Sequence, residues 1–327
     1  MGSRPAAGVA MCVYNGARFL REQLNSIAAQ TELPRCLAVV DDGSSDGSWE
    51  ILEQWAPTAP FEVRLHRNSS NLGVVRNFER AINLVDQDII FLSDQDDVWR
   101  PEKLATLVDI MVADPSIVLV HSDAELIDSD GHPLGRTLFE TLLVTQDERE
   151  DVASGRAYRV YTRRNLVTGA ACAFRRELIG LAMPMSQDWV HDEWLAFTAA
   201  LVLRVALVDA VTMSYRLHGN NVVGLPITGF IWRLRSIVEA LFIPVAGKQA
   251  IRAKRLRQMQ EHASRLGAPA EMQVHLEAAI RHAEFRSNLS ANPLTRLRGI
   301  LRERRQLHYH QWSNGPVSML RDFLSGR

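Results

Sequence analysis

The chain has 327 residues, of which 46% are hydrophobic, and its formal net charge at pH 7 is -1. This length and apolar content are sufficient for one or two domains with buried cores, and they exclude a disordered chain. The balanced charge hides an asymmetry. Residues 1–224 carry 20 Lys and Arg against 31 Asp and Glu (-11), whereas residues 225–327 carry 17 against 7 (+10). The basic part is therefore expected to face an anionic partner.

The three cysteines, Cys12, Cys36 and Cys172, are far apart and lie in apolar runs. They lack the spacing of metal ligands, so we interpret them as reduced core residues of a cytoplasmic protein. Residues 1–8 lack the pattern of a signal peptide, which agrees with a cytoplasmic location. The longest apolar run, Trp194–Met213, contains charged residues and predicts a buried helix followed by a strand, not a membrane span.

The first part of the chain repeats a pattern of strand, polar turn and helix. Apolar runs at 9–14, 36–40 and 61–65 predict strands, and each precedes a polar turn and a segment with apolar residues at helical spacing. A fourth run, Ile89–Leu92, ends in an acidic segment, and Pro101 opens the next helix. This alternation predicts an α/β fold with a mostly parallel central sheet that helices cover on both faces.

The rest of the chain is predicted from shorter signals. We expect strands at 117–121, 124–127 and 169–175, a mobile loop or short helices at 137–165, a helix at 190–203, and a strand pair at 204–208 and 211–217. From residue 228 onward the pattern is helical, with breaks near Pro244, 267–269, 292–293 and 314–316. The predicted organisation is an α/β domain at 1–224 and a helical, basic C-terminal region at 225–327.

Three carboxylates, Asp94, Asp96 and Asp97, are packed into four residues soon after the fourth predicted strand. Crowded carboxylates raise one another's pKa unless a cation neutralises them, and Mg²⁺ or Mn²⁺ suits oxygen ligands. If the strand continues, Asp94 and Asp96 share one face. A solvated acidic turn is the alternative interpretation. The preceding strand favours a metal site, because ligands in open α/β sheets bind beyond the carboxyl ends of strands.

Polar clusters follow four predicted strands, at Asn15, 41–46, Asn71 and 94–97, and in a parallel sheet they converge on one edge. Six segments, in order over roughly residues 8–224, resemble family-2 glycosyltransferases of the GT-A fold, particularly the bacterial rhamnosyltransferase-like members. They are VAMCVYNGARFLREQLNSIAAQ, VVDDGSSDGSWEIL, NLGVVRNFERAI, FLSDQDDVWRPEKL, VHDEWLA and YRLHGNNVVG.

The resemblance implies an inverting, metal-dependent enzyme that moves a sugar from a nucleotide-diphosphate donor to a glycan or lipid-linked acceptor in bacterial cell-surface polysaccharide synthesis. It suggests dTDP-rhamnose as the donor, with UDP-sugars open. It also implies the residues that bind the nucleotide sugar, which are Cys12, Val13, Tyr14, Asn15, Asp42, Asn71, Arg76, Asp94 and Gln95. Asp42 would accept the pyrimidine N–H; its alternative is an Asx-turn that caps the next helix. Arg76 would reach a phosphate or pair with an acid.

The same resemblance assigns the metal ligands. Asp96 would be the main ligand of Mg²⁺ or Mn²⁺, Asp94 would contact the ribose and the metal, and His218 would complete the shell. For His218 the alternative is a structural hydrogen bond.

Asp192 would be the catalytic base, and its alternative is to cap a helix N-terminus. His191 stands where relatives carry Glu, and Glu193 is the second candidate for the base. Contacts to the acceptor or the sugar are further expected from Asp97, Trp99 and Trp194, as well as from His191 and Glu193. For the tryptophans, buried packing is the alternative, and for Asp97 the alternative is a structural role in the fold.

The basic C-terminal region contains an apolar segment, 230–243, with Arg233 and Arg235. Together with the arginines at 296–305, it indicates either a peripheral contact with anionic membrane or a homodimer contact, whereas nucleic acid is not expected. Two other functions are weighed against the glycosyltransferase. A sugar-1-phosphate nucleotidyltransferase should carry a Gly-rich, Arg-containing loop after its first strand, which Tyr14–Ala17 is not. A non-catalytic sugar-nucleotide-binding module would not need Asp192. The sequence lacks a Q-x-x-R-W motif, so we expect non-processive addition.

Overall fold

A computed structural model describes residues 4–218 and 245–324 of the chain. The chain divides into two compact units. Of the described residues, 4–157 and 166–218 belong to the first unit, and 158–165 and 245–324 belong to the second. The predicted boundary at residue 224 and the predicted apolar helix at 230–243 lie outside the described residues.

The strands that the structure describes form one sheet in the first unit, in the order β3-β2-β1-β4-β8-β6-β9-β5, with β7 paired to β6. Their bounds are β1 Ala7–Val13, β2 Cys36–Asp41, β3 Glu62–Arg67, β4 Ile89–Ser93, β5 Val98–Trp99, β6 Ile117–Ile127, β7 Pro133–Thr137, β8 Cys172–Arg175 and β9 Arg204–Arg216.

Helices flank this sheet. Their bounds are α1 Ala17–Ala28, α2 Ser48–Trp55, α3 Val74–Asn83, α4 Lys103–Ala113, α5 Leu138–Thr141, α6 Gln146–Ala153, α8 Glu177–Ala182 and α9 His191–Val202. The helix between α6 and α8 in the chain, α7 Ala157–Arg163, belongs to the second unit except for its first residue. The expectation of short helices between residues 137 and 165 is confirmed by α5, α6 and α7. Both α5 and α6 begin with a capping box, in which the N-cap threonine and the glutamate three residues later satisfy each other's backbone N–H groups.

The sheet is mixed, but six of its nine described strands run in the same direction. Strands β1 to β4 are mutually parallel, β6 and β9 share their direction, and β5, β7 and β8 oppose it. The prediction of a mostly parallel central sheet is therefore confirmed. Strands β1 and β2 are buried at every position, as expected for strands that are covered on both faces.

The carboxyl ends of three neighbouring strands meet at one edge of the sheet. Val13, the last residue of β1, pairs with Asp41, the last residue of β2, and Met11 pairs with Ser93, which ends β4. The segments that follow these strands therefore start close together, which is where α/β sheets bind ligands.

The prediction of two strands at 204–208 and 211–217 is wrong. Strand β9 is continuous and runs beside β6, and the pairing changes register near Asp123.

The second unit is helical where it is described. Besides part of α7, it contains α10 Val245–Arg265, α11 Ala270–Ser287, α12 Pro293–Arg305, α13 His308–Trp312 and α14 Gly315–Leu324. The predicted breaks at 267–269, 292–293 and 314–316 coincide with the ends of these helices. Asn292 caps α12, because its side-chain oxygen accepts from the backbone N–H groups of Leu294 and Thr295. Among the described residues, no helix is both long and apolar enough to cross a membrane.

Candidate active site

The structure brings two predicted metal ligands together from distant parts of the sequence. Asp96 lies in the loop after β4, and His218 follows the end of β9. The Oδ2 atom of Asp96 lies 2.7 Å from Nε2 of His218, and both side chains are largely buried. A carboxylate oxygen and an imidazole nitrogen at this separation form a hydrogen bond, and both atom types also ligate divalent cations.

Asp94 adds a second carboxylate to this pair. Burial, together with the negative charges of Asp96 and Asp192, raises the pKa of Asp94 to about 7, although Lys103 acts to lower it. Asp192 therefore interacts electrostatically with the acidic loop. The acidic run is therefore part of a cluster of carboxylates, and not a solvated turn.

Asp97, the third carboxylate of the acidic run, is buried in the fold. It is 1% exposed, and its Oδ1 atom accepts from the backbone N–H of Arg216 at 3.0 Å. The guanidinium of Arg216 in turn donates to the backbone carbonyl of Asp96 at 2.8 Å. These bonds attach the acidic loop to the end of β9. A direct contact between Asp97 and an acceptor would require a side chain that reaches the surface, so the structure favours the structural role.

A buried lysine that was not predicted from the sequence interacts with the acidic loop. Lys103 has no exposed surface; its ammonium donates to the carbonyl of Ala170 and lies 4.0 Å from the ring centroid of Trp99. Burial lowers the pKa of Lys103 to about 7, whereas Asp97 raises it. A lysine in the first turn of a helix is ordinarily a surface residue, so only the tertiary structure identifies this counter-charge. Trp99 is itself buried, which agrees with its packing role.

Gln95 links the acidic loop to the end of β1. Its Oε1 atom accepts from the backbone N–H of Tyr14 at 2.7 Å, and its Nε2 atom donates to the Tyr14 carbonyl at 3.0 Å. Gly16 accommodates this side chain, because a Cβ atom at residue 16 would lie 2.3 Å from the Gln95 amide. The amide that we expected to contact the nucleotide sugar is thus engaged with the protein backbone.

Asp42 is held by the loop that precedes α3. Its Oδ1 atom accepts from the backbone N–H of Leu72 at 2.8 Å and from the Asn68 amide at 2.7 Å, and its Oδ2 atom accepts from Gly73 N–H at 3.0 Å. The Asx-turn that was the alternative role for Asp42 is instead made by Asp41, which accepts from the N–H groups of Gly43 and Ser44. These bonds fix the orientation of Asp42. Its Oδ1 atom has two protein donors, whereas its Oδ2 atom has one.

The other predicted nucleotide contacts surround this edge. Cys12 and Val13 are buried, and burial raises the pKa of the Cys12 thiol, with further contributions from Asp94 and Asp42. Tyr14 is 48% exposed, so its ring is accessible to a ligand. Asn15 has a positive φ of 49° and its side chain accepts from the N–H of Ser45, which fixes the turn after β1.

Asn71 and Arg76 are exposed at the start of α3. Asn71 accepts from the N–H of Gly73. Arg76 forms no ion pair within the part of the chain that the structure describes, so the alternative of pairing with an acid is not observed there.

Asp192 occupies the first turn of α9, where Val190 and not Asp192 is the N-cap residue. It is 8% exposed; its Oδ2 atom accepts from Gly169 N–H at 2.8 Å and its Oδ1 atom accepts from Glu193 N–H at 2.6 Å. Burial raises the pKa of Asp192 to about 6, although the two N–H donors act to lower it. Such a value suits a general base that works near neutral pH.

His191 is buried beside Asp192. Its ring stacks on Phe78 at 3.8 Å between centroids, and neither ring nitrogen has a hydrogen-bond partner among the described residues. Burial lowers the pKa of His191 to about 3, so the imidazole is neutral. Glu193 is half-buried in the same turn, whereas Trp194 is buried and donates its indole N–H to the Ala182 carbonyl, which agrees with packing.

A comparison with protein-family models matches residues 8–179, more than half of the chain, to "Glycosyl transferase family 2". The chain belongs to glycosyl transferase family 2. The matched range contains Asp42 and the acidic loop, but it ends before Asp192 and His218. The family match therefore does not reach these two residues, and a role for them is argued from the geometry described above.

Curated relatives agree with this family. The chain is 24% identical over 213 residues to an uncharacterized glycosyltransferase, alr2836, of Nostoc, and the match spans 64% of this chain and 63% of that protein. It is 27% identical over 230 residues to the dTDP-rhamnosyl transferase RfbG of Shigella flexneri, spanning 67% of this chain and 75% of that protein. It is also 27% identical to the abequosyltransferase RfbV of Salmonella typhimurium over 52% of each chain.

Solved structures confirm the GT-A fold of the family-2 chain. Residues 1–349 of S. aureus TarS in complex with UDP-GlcNAc superpose with a TM-score of 0.58 at 15% identity, covering 97% of this chain and 89% of that 1–349 chain. The mannosyltransferase PcManGT from Pyrobaculum calidifontis, in complex with GDP-Man and Mn²⁺, gives a TM-score of 0.54 at 21% identity, covering 99% and 86%.

Proposed function

We propose that this family-2 glycosyltransferase is an inverting, metal-dependent and non-processive enzyme. It would transfer a sugar from a nucleotide-diphosphate donor to a glycan or lipid-linked acceptor in bacterial cell-surface polysaccharide synthesis. The observation that carries this proposal is the 2.7 Å contact between Asp96 and His218, supported by Asp94 in the same loop and by Asp192, whose charge acts on Asp94. In this proposal Asp96, Asp94 and His218 would hold the cation, and Asp192 would be the base.

The donor is proposed from the relatives. RfbG is named a dTDP-rhamnosyl transferase, TarS was solved with UDP-GlcNAc, and PcManGT was solved with GDP-Man. A dTDP- or UDP-sugar would place its pyrimidine near Tyr14 and Asp42. Three protein N–H donors already fix the carboxylate of Asp42, so it can accept a further N–H without reorientation. Exposed Arg76 would reach the phosphates.

The donor atoms present fit a divalent cation. Asp96 and Asp94 offer carboxylate oxygens and His218 offers an imidazole nitrogen, which suit Mn²⁺ or Mg²⁺. When bound, the cation would neutralise negative charge on the leaving diphosphate. Gln95 would position the two carboxylates relative to the nucleotide pocket, because it joins their loop to Tyr14.

Asp192 would accept the proton of the acceptor hydroxyl. The N–H groups of Gly169 and Glu193 hold its carboxylate in one orientation, and above pH 6 most of it is ionised. The deprotonated hydroxyl oxygen attacks the anomeric carbon as the bond to the diphosphate oxygen breaks. Attack in line with that bond inverts the anomeric configuration. Neutral, buried His191 packs beside this carboxylate and would limit its contact with water.

The competing functions predict different outcomes. A nucleotidyltransferase needs an Arg-containing phosphate loop after β1, and here that segment is Tyr14–Ala17. A non-catalytic module would bind a nucleotide sugar without turnover.

Contact with an anionic membrane and a homodimer through the C-terminal region are further proposals that depend in part on residues 230–243.

Donor hydrolysis tests the proposal directly. Purified chain is incubated with dTDP-rhamnose, UDP-GlcNAc and GDP-mannose, with Mn²⁺, Mg²⁺ or chelator, and released nucleoside diphosphate is measured. We expect metal-dependent release from at least one donor. Binding without release in every combination would support the non-catalytic module and contradict the enzyme.

A further inference from the structure

Three helices of the second unit bring two histidines and a glutamate together. His282 lies on α11, Glu303 on α12 and His308 on α13. The Oε2 atom of Glu303 lies 2.8 Å from Nδ1 of His282 and 2.9 Å from Nδ1 of His308, and the three atoms all lie within 4.8 Å of one another. None of these residues belongs to the donor site.

The three side chains differ in their exposure to solvent. The side chains of His282 and Glu303 are 2% and 9% exposed, whereas His308 is 23% exposed. A small ion could therefore enter past His308. The indole of Trp312 packs against His308 with 4.9 Å between ring centroids, which provides a fluorescent reporter at the site.

A second layer of polar groups orients His282. Its Nε2 atom lies 3.0 Å from Oγ of Ser313, and that oxygen accepts from Arg286 at 2.7 Å. Asp322 already pairs with Arg286 through two hydrogen bonds, at 2.6 and 2.9 Å. Glu303 is thus the carboxylate of this cluster that lacks an arginine partner among the described residues. Histidines that bind metals ordinarily donate the N–H of their second ring nitrogen to a polar partner, and Ser313 is in the position to be that partner for His282.

The chemistry of the three groups suits a divalent cation. Imidazole nitrogen and carboxylate oxygen are both ligands of zinc in proteins. Binding of the ion would displace any protons that these ligand atoms carry.

We propose that the helical unit binds a borderline-soft first-row cation of the Zn²⁺ class. The ligands are Nδ1 of His282, Nδ1 of His308 and Oε2 of Glu303, with water in the fourth position beside His308. Zinc bonds of about 2.0–2.1 Å at tetrahedral angles separate ligand atoms by about 3.3 Å. The two separations between Glu303 and the histidines, 2.8 and 2.9 Å, would widen slightly to reach this value, and the three ligand atoms already lie within 4.8 Å of one another. The ion would cross-link α11, α12 and α13. Two imidazoles distinguish this site from the carboxylate-rich donor site, which suits Mn²⁺ or Mg²⁺.

The test uses the full chain without an affinity tag, stripped with chelator and titrated with Zn²⁺ or Co²⁺. Each measurement is made in the wild type and in Asp96→Ala, which removes the donor-site ligand. We expect both proteins to retain one Zn²⁺ per chain after desalting, to show visible absorption bands of tetrahedral Co²⁺, and to change Trp fluorescence. Ser313→Ala should weaken binding by about 10-fold, as loss of an orienting partner does.

Glu303→Gln and His308→Gln should each abolish the retained Zn²⁺ and the Co²⁺ bands, because each removes one of the three protein ligands. Gln is used because it keeps the approximate size and the hydrogen-bonding capacity of the side chain that it replaces. His310→Gln is the matched control, because His310 is exposed on the same helix α13 and lies outside the cluster. Circular dichroism checks that each variant is folded. Absence of stoichiometric Zn²⁺ in the wild type, or equal retention by folded Glu303→Gln and His308→Gln, would show a hydrogen-bond network only and overturn the proposal.

Discussion

The side-chain amide of Gln95 forms hydrogen bonds to both the N–H and the carbonyl of Tyr14, at 2.7 and 3.0 Å. An amide that pairs in this way takes the place of a neighbouring strand. It joins the loop that carries Asp94 and Asp96 to the residue that follows β1. Together with the pairing of β1 and β4, this side chain fixes the proposed metal ligands relative to the proposed nucleobase pocket.

Gln95→Ala should weaken nucleotide binding without unfolding the protein. Each lost hydrogen bond is worth about 0.5–1.5 kcal/mol, so loss of both predicts a Kd increase of about 10-fold for dTDP or UDP with Mn²⁺. Isothermal titration calorimetry measures this change. An unchanged Kd would contradict the positioning role.

Gly16→Ala should have a similar effect, because the new methyl group would lie 2.3 Å from the Gln95 amide and displace it. In a Gln95→Ala background the same substitution should add little, since the obstacle is gone; a double-mutant cycle measures this coupling. Gly180→Ala is the control, because a Cβ atom there meets nothing within 4 Å. Full additivity of the two substitutions would show that they act separately.

The pH profile should report Asp192. Burial raises the pKa of this carboxyl to about 6, and a base must be ionised, so kcat/KM should fall as the pH decreases through 6 and stay level above it. Asp192→Asn should reduce transfer by about 10²- to 10⁴-fold while leaving the Kd of the donor nearly unchanged. If Asp192→Asn kept full transfer activity, Asp192 would not be the base, and Glu193→Gln would be tested next.

Lys103→Met should destabilise the first unit. Removal of one partner from a buried set of charges costs about 3–5 kcal/mol, because Asp94 and Asp97 lose their counter-charge. Thermal denaturation measures the loss, and Lys248→Met, at an exposed position of α10, is the control. Equal melting temperatures of the two variants would show that Lys103 does not stabilise the acidic loop.

Much of the fold was predictable because it follows from local periodicity. The alternation of strands and helices predicted the sheet, and the breaks at glycine, proline and asparagine predicted the helices of the second unit. The continuous strand β9 was missed because Asp209 interrupts its apolar pattern. In the structure, β9 pairs with β6 on both sides of Asp209, and the pairing shifts in register between the two parts.

The site was predictable as a set of residues but not as a set of contacts. The positions of Asp96 and His218 were predicted, while the roles of Gln95, Lys103 and Arg216 depend on groups 81, 67 and 120 residues away. No spacing in the sequence encodes such distances. The cluster of His282, Glu303 and His308 was missed for the same reason, because its spacing does not follow a metal-binding motif.

Metal-dependent donor binding tests the proposed site most directly. The affinity for dTDP and UDP is measured by calorimetry with Mn²⁺ and with chelator in the wild type, Asp96→Ala and Asp97→Asn, which keeps an acceptor for Arg216. We predict that Mn²⁺ strengthens binding in the wild type and in Asp97→Asn, and that Asp96→Ala abolishes this effect. An Asp96→Ala protein that binds nucleotide with undiminished Mn²⁺ dependence would contradict the assignment of Asp96 and His218 as the metal site.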